Sequence, residues 1–587
     1  MKKICSCLLV GLMALSLAAC SSKPATATIK DGTYAGEGTG KNDKIAVEVT
    51  FKDSVIAGIE VTSEKETPGF AEAMDQLTKT MMAENKIEVD IIAGATYTSD
   101  GFIEAVKDAF NKTGATLDQL IAKGNSESEE RESSYTADVV VIGAGGAGLS
   151  AAITAAEAGA KVIVIEKMAM VGGNTLISGA EMAAPNNWLQ TSENIEDSND
   201  QFYQDIMKGG DNESDPELAR ILADSSLAGA EWLRDDVNVI FEDYMLFFGG
   251  HSVKRSLVPL NASGVELVGK LEAKAKSLGV EIHTNTPAIE LLQENGEVNA
   301  VKANFNGKEV TYNANNGVIL ATGGFGSNLD MRIKYNEAMD EKILSTNTVG
   351  STGDGITMAE KINAQLVDMP FIQTYPTCDP ERGTLLYVGD VRLDGRSILV
   401  NLEGKRFVEE LERRDVISSA VVSQTGGVSY MFWDEASMIA SKVNVKHKAE
   451  YDNLIERGLL VKANTLKEAA DFFGINAEEL QKTVDNYNTY AANGKDLEFN
   501  KRGELTAFTD GPYYIMKSIP AIHHTMGGVK INTEAQVMDV DGNIIKGLYA
   551  AGEVTGDIHG TNRLGSDAIA DIVVFGRIAG KNAAEAK

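Results

Sequence analysis

Cysteine is scarce in this 587-residue chain. There are four, Cys5, Cys7, Cys20 and Cys378, and three of them fall within the first twenty positions. No CxxCH offers covalent haem attachment, and no CxxC pair offers a zinc or iron–sulfur site, so the reading admits neither metal nor haem. Prolines number eleven, and the fifty-seven glycines follow no period, which excludes a collagenous or low-complexity chain. Basic side chains are outnumbered, 54 against 85 acidic, for a net charge of −31. Such a surface repels phosphate, and nucleic acid is excluded as a partner. What the chain does have is apolar bulk, 43% of its residues. That is enough for several cores, since one core stops growing near ~250–300 residues.

The N-terminus reads as an address. Lys2 and Lys3 precede an apolar run from Leu8 to Leu17, too short to span a bilayer, and small residues follow. Leu17-Ala18-Ala19-Cys20 resembles a bacterial lipobox. The resemblance implies a signal peptide over 1–19, lipidation of Cys20, and anchoring on the extracytosolic face of the cell membrane. An ordinary signal peptide cut nearby is the other reading. Residues 20–30 read as a tether. Residues 31–123 read as a small α+β unit, with alternating strands at 45–51 and 55–61, a helix over 70–83 and a second helix after Asp100. Residues 124–134 are polar and acidic, a linker. A large domain runs from 135 to the end.

The small unit contains Asp90-Ile-Ile-Ala93-Gly94-Ala-Thr96-Tyr-Thr98-Ser99. Taken as residues, this is a strand end, a Gly94 turn and a helix capped by Ser99 or Asp100. The segment also resembles the flavinylation signal of FMN-binding domains in Na⁺-pumping quinone reductases, although Ala93 stands where Ser or Thr is usual. The resemblance implies FMN joined to the Thr96 hydroxyl by a phosphoester, a flavin transferase as partner, and Asp90 assisting the transfer. A covalent flavin suits an exported protein because it cannot be lost to the medium.

The large domain opens with a buried parallel strand, Ala137 to Ile142, followed at once by Gly143-Ala-Gly145-Gly146-Ala147-Gly148 and a helical run to Ala158. A second strand ends at Glu166, eighteen residues past Gly148. Strand, glycine turn, helix and acid in that order form a dinucleotide-binding unit. Gly143 makes the turn, Gly145 admits the pyrophosphate, and Gly148 allows helix and strand to touch. The helix N-terminus attracts phosphate, and Glu166 accepts from a ribose hydroxyl.

Further motifs select FAD. They are Gly172-Gly173-Asn174-Thr175 with Ser178-Gly179, Ala321-Thr322-Gly323 at a strand end, Gly552-Glu553, and Arg563-Leu-Gly565-Ser566 with Ala568 and Ile569. With Asp354, Tyr375, Arg406, Arg414 and the pair His523-His524, they resemble, in order and nearly in spacing, the fumarate reductase and succinate dehydrogenase flavoproteins. The fold class implied is α/β: a discontinuous Rossmann-like FAD domain (135–342 and 521–587) with an inserted α+β capping domain (343–520), preceded by the FMN domain. Non-covalent FAD is then held by the motif residues just named, together with His524 and Arg563.

The resemblance implies reduction of a C=C bond conjugated to a carboxylate. Arg414 matches the proton donor, Asp390 and Arg392 its relay, and His523 and Arg563 the grip on the carboxylate. Arg563 suits a bidentate grip, and both grip residues stabilise the developing enolate. Without the surrounding motifs, Arg413 and Arg414 would read as a solvated helix face and His523 as a core histidine. A second carboxylate has no matching donor pair, because Tyr375 stands where fumarate reductases carry His and Gly389 where they carry Thr. Tyr375 and Asp390 suit an N–H-bearing ring such as imidazole, with Phe247 and Phe248 as a further aromatic wall. The expected substrate is a small unsaturated carboxylate bearing an imidazole, with fumarate, aryl and alkyl enoates as alternatives. Electrons are expected from a membrane quinol or flavin donor, since no NAD site is evident.

Overall fold

In a computed structural model of the protein, the structure describes residues 29–41, 43–66, 71–89, 92, 95–120, 131–503, 505–509 and 511–586. Cys20, Asp90 and most of the expected linker lie outside the described residues. Among those described, no helix is long and apolar enough to cross a membrane.

The small unit is a three-stranded antiparallel sheet, Gly32–Thr39, Lys44–Lys52 and Val55–Ser63, covered by the helices Ala71–Glu84 and Thr96–Asn111. Ile45, Val47, Val49 and Phe51 alternate along the middle strand and bury against Phe102, Val106 and Phe110. The first strand lacks that alternation because Gly36 and Gly38, which face the helix, carry no side chain. A Cβ on Gly36 would stand 2.1 Å from the Ala105 carbonyl oxygen, and one on Gly38 2.0 Å from that of Gly101. The helix lies directly on the strand backbone, a contact glycine alone permits.

The second helix corrects one expectation. It begins at Thr96, after Ala95, and neither Ser99 nor Asp100 caps it. The Ser99 amide donates to the Ala95 carbonyl at 2.7 Å as an ordinary helical bond. Its hydroxyl oxygen accepts from the Ile92 amide at 3.1 Å and so ties the preceding turn from inside the helix. Thr96 thereby occupies the first helical position.

The large domain is built on a mixed sheet in which Ser134–Ile142, Val162–Ile165, Lys308–Leu320 and Ile544–Ala550 run parallel at the centre. Where they pair at the centre, Val139–Ile142, Val162–Ile165 and Val318–Leu320 are apolar without alternation because helices cover both faces. Gly146–Glu157 and the C-terminal Asp567–Glu585 pack against each other through Gly576 and Gly580, where a Cβ would meet the Ala147 and Ala151 carbonyl oxygens at 2.8 and 2.2 Å.

The capping region forms its own antiparallel sheet, ordered Ile372–Cys378, Tyr513–Thr525, Ser429–Asp434, Ile398–Val400, with Leu460–Ala463 also paired to Tyr513–Thr525. The strand Tyr513–Thr525 runs unbroken through the expected boundary at Pro520. No linker separates the two domains there; one rigid element carries the chain from one to the other. Arg406 serves this region's core, not the cavity. Its guanidinium donates to Glu410 at 2.8 Å and to Asp496 at 2.9 Å, and both partners are buried.

Gly148 sets the tightest approach in the nucleotide motif, where a Cβ would stand 1.9 Å from the Gly143 carbonyl oxygen. Gly148→Ala is expected to cost about 1–3 kcal/mol through a backbone shift, read as a lowered urea midpoint together with reduced FAD content. Unchanged stability and full FAD content would contradict this packing.

Candidate active site

Two cavities meet in the large domain. The first, about 850 Å³, is floored by Gly143, Gly145 and Gly146 and walled by Glu166, Thr322 and Asp354, with Ala147, Gly172, Gly173, Ala321 and Gly323 also at its surface. Gly143 has φ +103°, and a Cβ there would press 2.3 Å from the Ala321 carbonyl oxygen. A Cβ on Gly145 would meet no atom nearer than the Gly172 carbonyl oxygen at 3.8 Å, so it would project into the open cavity where a pyrophosphate belongs. Glu166 accepts from the Ala144 and Met168 amides, each at 2.8 Å. Desolvation raises its pKa against those bonds. Thr322 Oγ1 is buried and has no partner among the described residues. Lys167 donates to Asp354 at 2.6 Å and fixes that carboxylate at the cavity's edge. A glycine floor, an orphaned hydroxyl and a held acid fit FAD.

Asn174, Thr175 and Glu553 line both the first cavity and a second of about 880 Å³. Ser178, Gly179, His524, Ser566, Ala568 and Ile569 line the second, where the flavin end of FAD and a substrate would share space. Gly148, Gly552 and Gly565 line neither. They act through packing: a Cβ would stand 2.8 Å from Ala147 Cβ at Gly552 and 2.4 Å from the Phe248 ring at Gly565.

The second cavity also collects Tyr375, Asp390, Arg414, His523 and Arg563. They arrive from five places: the strands Ile372–Cys378 and Tyr513–Thr525, the short 3₁₀ turn Tyr387–Arg392, the start of the helix Arg414–Val422, and the turn before the C-terminal helix. Gln373 Oε1 accepts from Arg563 Nη2 at 3.0 Å, while Gln373 Nε2 donates to the Asn562 side chain and the Arg563 carbonyl, each at 2.6 Å. This clasp fixes the guanidinium at the cavity. His523 Nδ1 bonds Thr346 Oγ1 at 2.9 Å, leaving Nε2 for the cavity.

Arg413 and Arg414 divide at the helix start. Arg413 pairs at the surface with Asp211 and Asp415, each at 2.6 Å, as the solvated reading anticipates. Arg414 turns inward. Its guanidinium carbon sits 4.8 Å from the Tyr375 ring centre and 5.3 Å from that of Phe248, and its Nη1 is buried without a partner among the described residues. Arg392 is buried behind the cavity and donates to the Glu410 carbonyl at 2.7 Å.

Glu181 is the residue sequence reading missed. It lines the second cavity beside Asp390. No motif marks it; the available signal is a lone charge in Gly179-Ala-Glu181-Met-Ala-Ala, just after Ser178-Gly179. Tyr387, likewise unanticipated, donates its hydroxyl to the Ile177 carbonyl at 3.0 Å and lines the same cavity.

The electrostatics follow from burial. Desolvation raises both carboxyls; Asp390 is pushed further up by Glu181, while Arg414 and Arg563 draw Glu181 back down. Burial, then the Arg414 and Arg563 cations, keep His523 well below the usual histidine range. It therefore offers a donor without a net charge. Burial also lowers Arg414, which eases proton release from a group ordinarily far too basic. Arg563 is lowered to about 9 by burial and by Arg414.

A glycine-floored cavity that opens into a chamber lined by Arg414, Arg563 and His523, with one Arg414 nitrogen buried and unpartnered among the described residues, fits a flavoprotein oxidoreductase. The FAD binding domain family matches residues 138–569, and the FMN-binding domain family matches 40–111. The urocanate reductase of Eggerthella lenta is 45% identical over 97% of this chain and 96% of its own length. A fumarate reductase (cytochrome) of Shewanella frigidimarina is 38% identical over 79% of this chain and 80% of its own. The solved open conformation of a flavocytochrome c3 fumarate reductase superposes with TM-score 0.63 at 38% identity, covering 77% of this chain and 78% of that one. The chain belongs to the fumarate reductase-like flavoproteins, with both an FAD and an FMN domain. It is an oxidoreductase acting on a CH–CH group, a flavin-dependent enoate reductase.

In the free enzyme Arg563 is charged below about pH 9 and loses its charge above; a bound carboxylate raises its pKa again. kcat/KM for an enoate is expected to fall as pH rises through about 9, while kcat at saturation persists to higher pH. A kcat/KM profile flat across that range would contradict the assigned grip.

Proposed function

We propose that the enzyme reduces urocanate to imidazole propionate, as terminal reductase of an extracytosolic anaerobic respiration. The observation that carries this reading is the presence of two half-buried carboxyls, Glu181 and Asp390, beside Tyr375 in the chamber that also holds Arg563 and His523. An acidic wall repels a second carboxylate and so disfavours fumarate. It suits an imidazole in either charge state. A carboxylate accepts the ring N–H, and a protonated neighbour donates to the other nitrogen or, once ionised, balances an imidazolium. The 45% identity to a urocanate reductase across nearly the whole chain supports the same choice.

The reaction takes two electrons and two protons into one C=C bond. Bound FAD supplies the hydride, to the carbon β to the carboxylate. Arg563 and neutral His523 hold the carboxylate and draw charge from the double bond, so that negative charge developing at the α-carbon is stabilised. Arg414, held over Tyr375 and Phe248, gives its proton to the α-carbon, and Asp390 and Arg392 return it. FMN, which a flavin transferase would join to Thr96 through a phosphoester, would carry electrons from a membrane quinol or flavoprotein towards FAD. The lipobox-like segment ending at Cys20 supports anchoring on the outer face of the membrane.

The test is reoxidation of the reduced, FMN- and FAD-loaded protein by urocanate, fumarate, cinnamate and crotonate in turn. Urocanate is expected to be fastest. Asp390→Asn and Glu181→Gln are each expected to raise KM for urocanate by ~10–100-fold, the size of a charge-assisted hydrogen bond. Arg414→Ala is expected to lower kcat by ~10²–10⁴-fold with flavin content retained. A preference for fumarate, or an unchanged KM in both carboxyl variants, would sink the imidazole reading and leave an enoate reductase of other specificity.

A further inference from the structure

A third cavity, about 890 Å³, lies between the FMN domain and the rest of the molecule. Lys41, Tyr97 and Thr98 face it from the small domain, and Arg382, Leu385 and Tyr387 from the large one. Thr96 stands in the chain between Ala95 and Tyr97, both of which line it.

Its walls are built, not incidental. The guanidinium of Arg382 lies 4.8 Å from the Tyr97 ring centre and donates to the Lys41 carbonyl at 3.1 Å, tying the two domains together at the rim. The loop bearing Arg382 is itself fixed. Asp379 accepts from the Glu381 and Arg382 amides at 2.9 and 3.1 Å, and Arg457 clasps Asp379 at 2.5 and 2.9 Å. Apolar contact of Ala73 and Ala95 with Met170, Leu176 and Ile177 closes the seam. Leu385 and Tyr387 line both this cavity and the substrate chamber, and Thr348 lines both this cavity and the FAD cavity. Behind the turn at Tyr387, Glu450 accepts from the Val388 amide at 2.7 Å. Glu450 is also the largest favourable charge acting on Lys41.

We propose that this cavity seats the isoalloxazine ring of FMN, so that the FMN site is composite: the small domain tethers the cofactor and the large domain, through Arg382 and Tyr387, completes its pocket. FMN then lies one side chain away from the substrate chamber, across Tyr387. The fit rests on an aromatic face at Tyr97, two cationic side chains suited to an anionic reduced ring, and a wall shared with the FAD cavity. The inference uses the FMN-binding family and the geometry, not the identity of the enoate. A failed urocanate assay leaves it standing, and its own failure leaves the substrate reading intact.

The test uses the full-length protein carrying both flavins. In the intact protein FMN fluorescence is expected to resist iodide quenching. Arg382→Ala is expected to lower the ratio of reduced to oxidised FMN at a fixed potential about tenfold, the scale of losing one partly buried charge, with the FAD titration unchanged. Arg382→Lys, which keeps the charge, is expected to restore most of the ratio. Should Arg382→Ala fail to fold, Thr384→Trp, which fills the cavity, is expected to expel the ring and raise iodide quenching several-fold. An FMN freely quenched in the unaltered protein overturns the proposal. So does an FMN equilibrium indifferent to Arg382→Ala, or quenching indifferent to Thr384→Trp.

Discussion

Desolvation of charge is the constraint on which this molecule turns. One chamber holds Glu181, Asp390, Arg414 and Arg563, with His523 among them. Each group is costly to remove from water, and each is tolerable only because the others are present. The chamber is therefore a single electrostatic unit. The Gln373 clasp on Arg563, the Thr346 bond to His523 and the ring contacts of Arg414 fix geometry that mutual repulsion would otherwise scatter. The strand Tyr513–Thr525 gives the unit a rigid floor, because it belongs to the capping sheet at one end and delivers His523 and His524 at the other.

The same burial separates tasks among like residues. Arg406, Arg413 and Arg414 lie within nine positions of one another. Arg406 is neutralised by two buried carboxylates, Arg413 meets surface acids, and Arg414 rests on aromatic faces with a nitrogen left unpaired. A cation held by carboxylates keeps its protons tightly, and one held by rings keeps them less so.

The dinucleotide motif was legible because its chemistry is local: strand, three glycines and helix are consecutive, and the close approaches at Gly143 and Gly148 confirm what the spacing implied. The helices and two of the three strands of the FMN unit were legible from periodicity. The strand Gly32–Thr39 was not, since Gly36 and Gly38 leave their face bare so that a helix can sit on the backbone. Ser99 misled for a related reason: a residue type that favours caps is spent here inside a helix, on the turn behind it. Arg414, His523 and Arg563 stood out through flanking motifs alone. Glu181 had no such flank; its partner Asp390 is 209 positions away, and only folding brings the two carboxyls to one cavity. The expected boundary near Pro520 falls inside the strand Tyr513–Thr525, because a change in domain need not interrupt a strand.

The Cys378 thiol closes the strand that begins at Ile372. It is fully buried against Leu344, Leu385 and Ala521, donates to the Tyr375 carbonyl at 3.4 Å, and is held in its protonated form by burial. A thiol so placed is inert to alkylating reagents while the strand is seated. It becomes reactive only when the chamber wall lifts away. The speed with which a maleimide consumes Cys378 is thus a built-in clock for local opening beside Tyr375, and anything that binds across that wall should slow the clock.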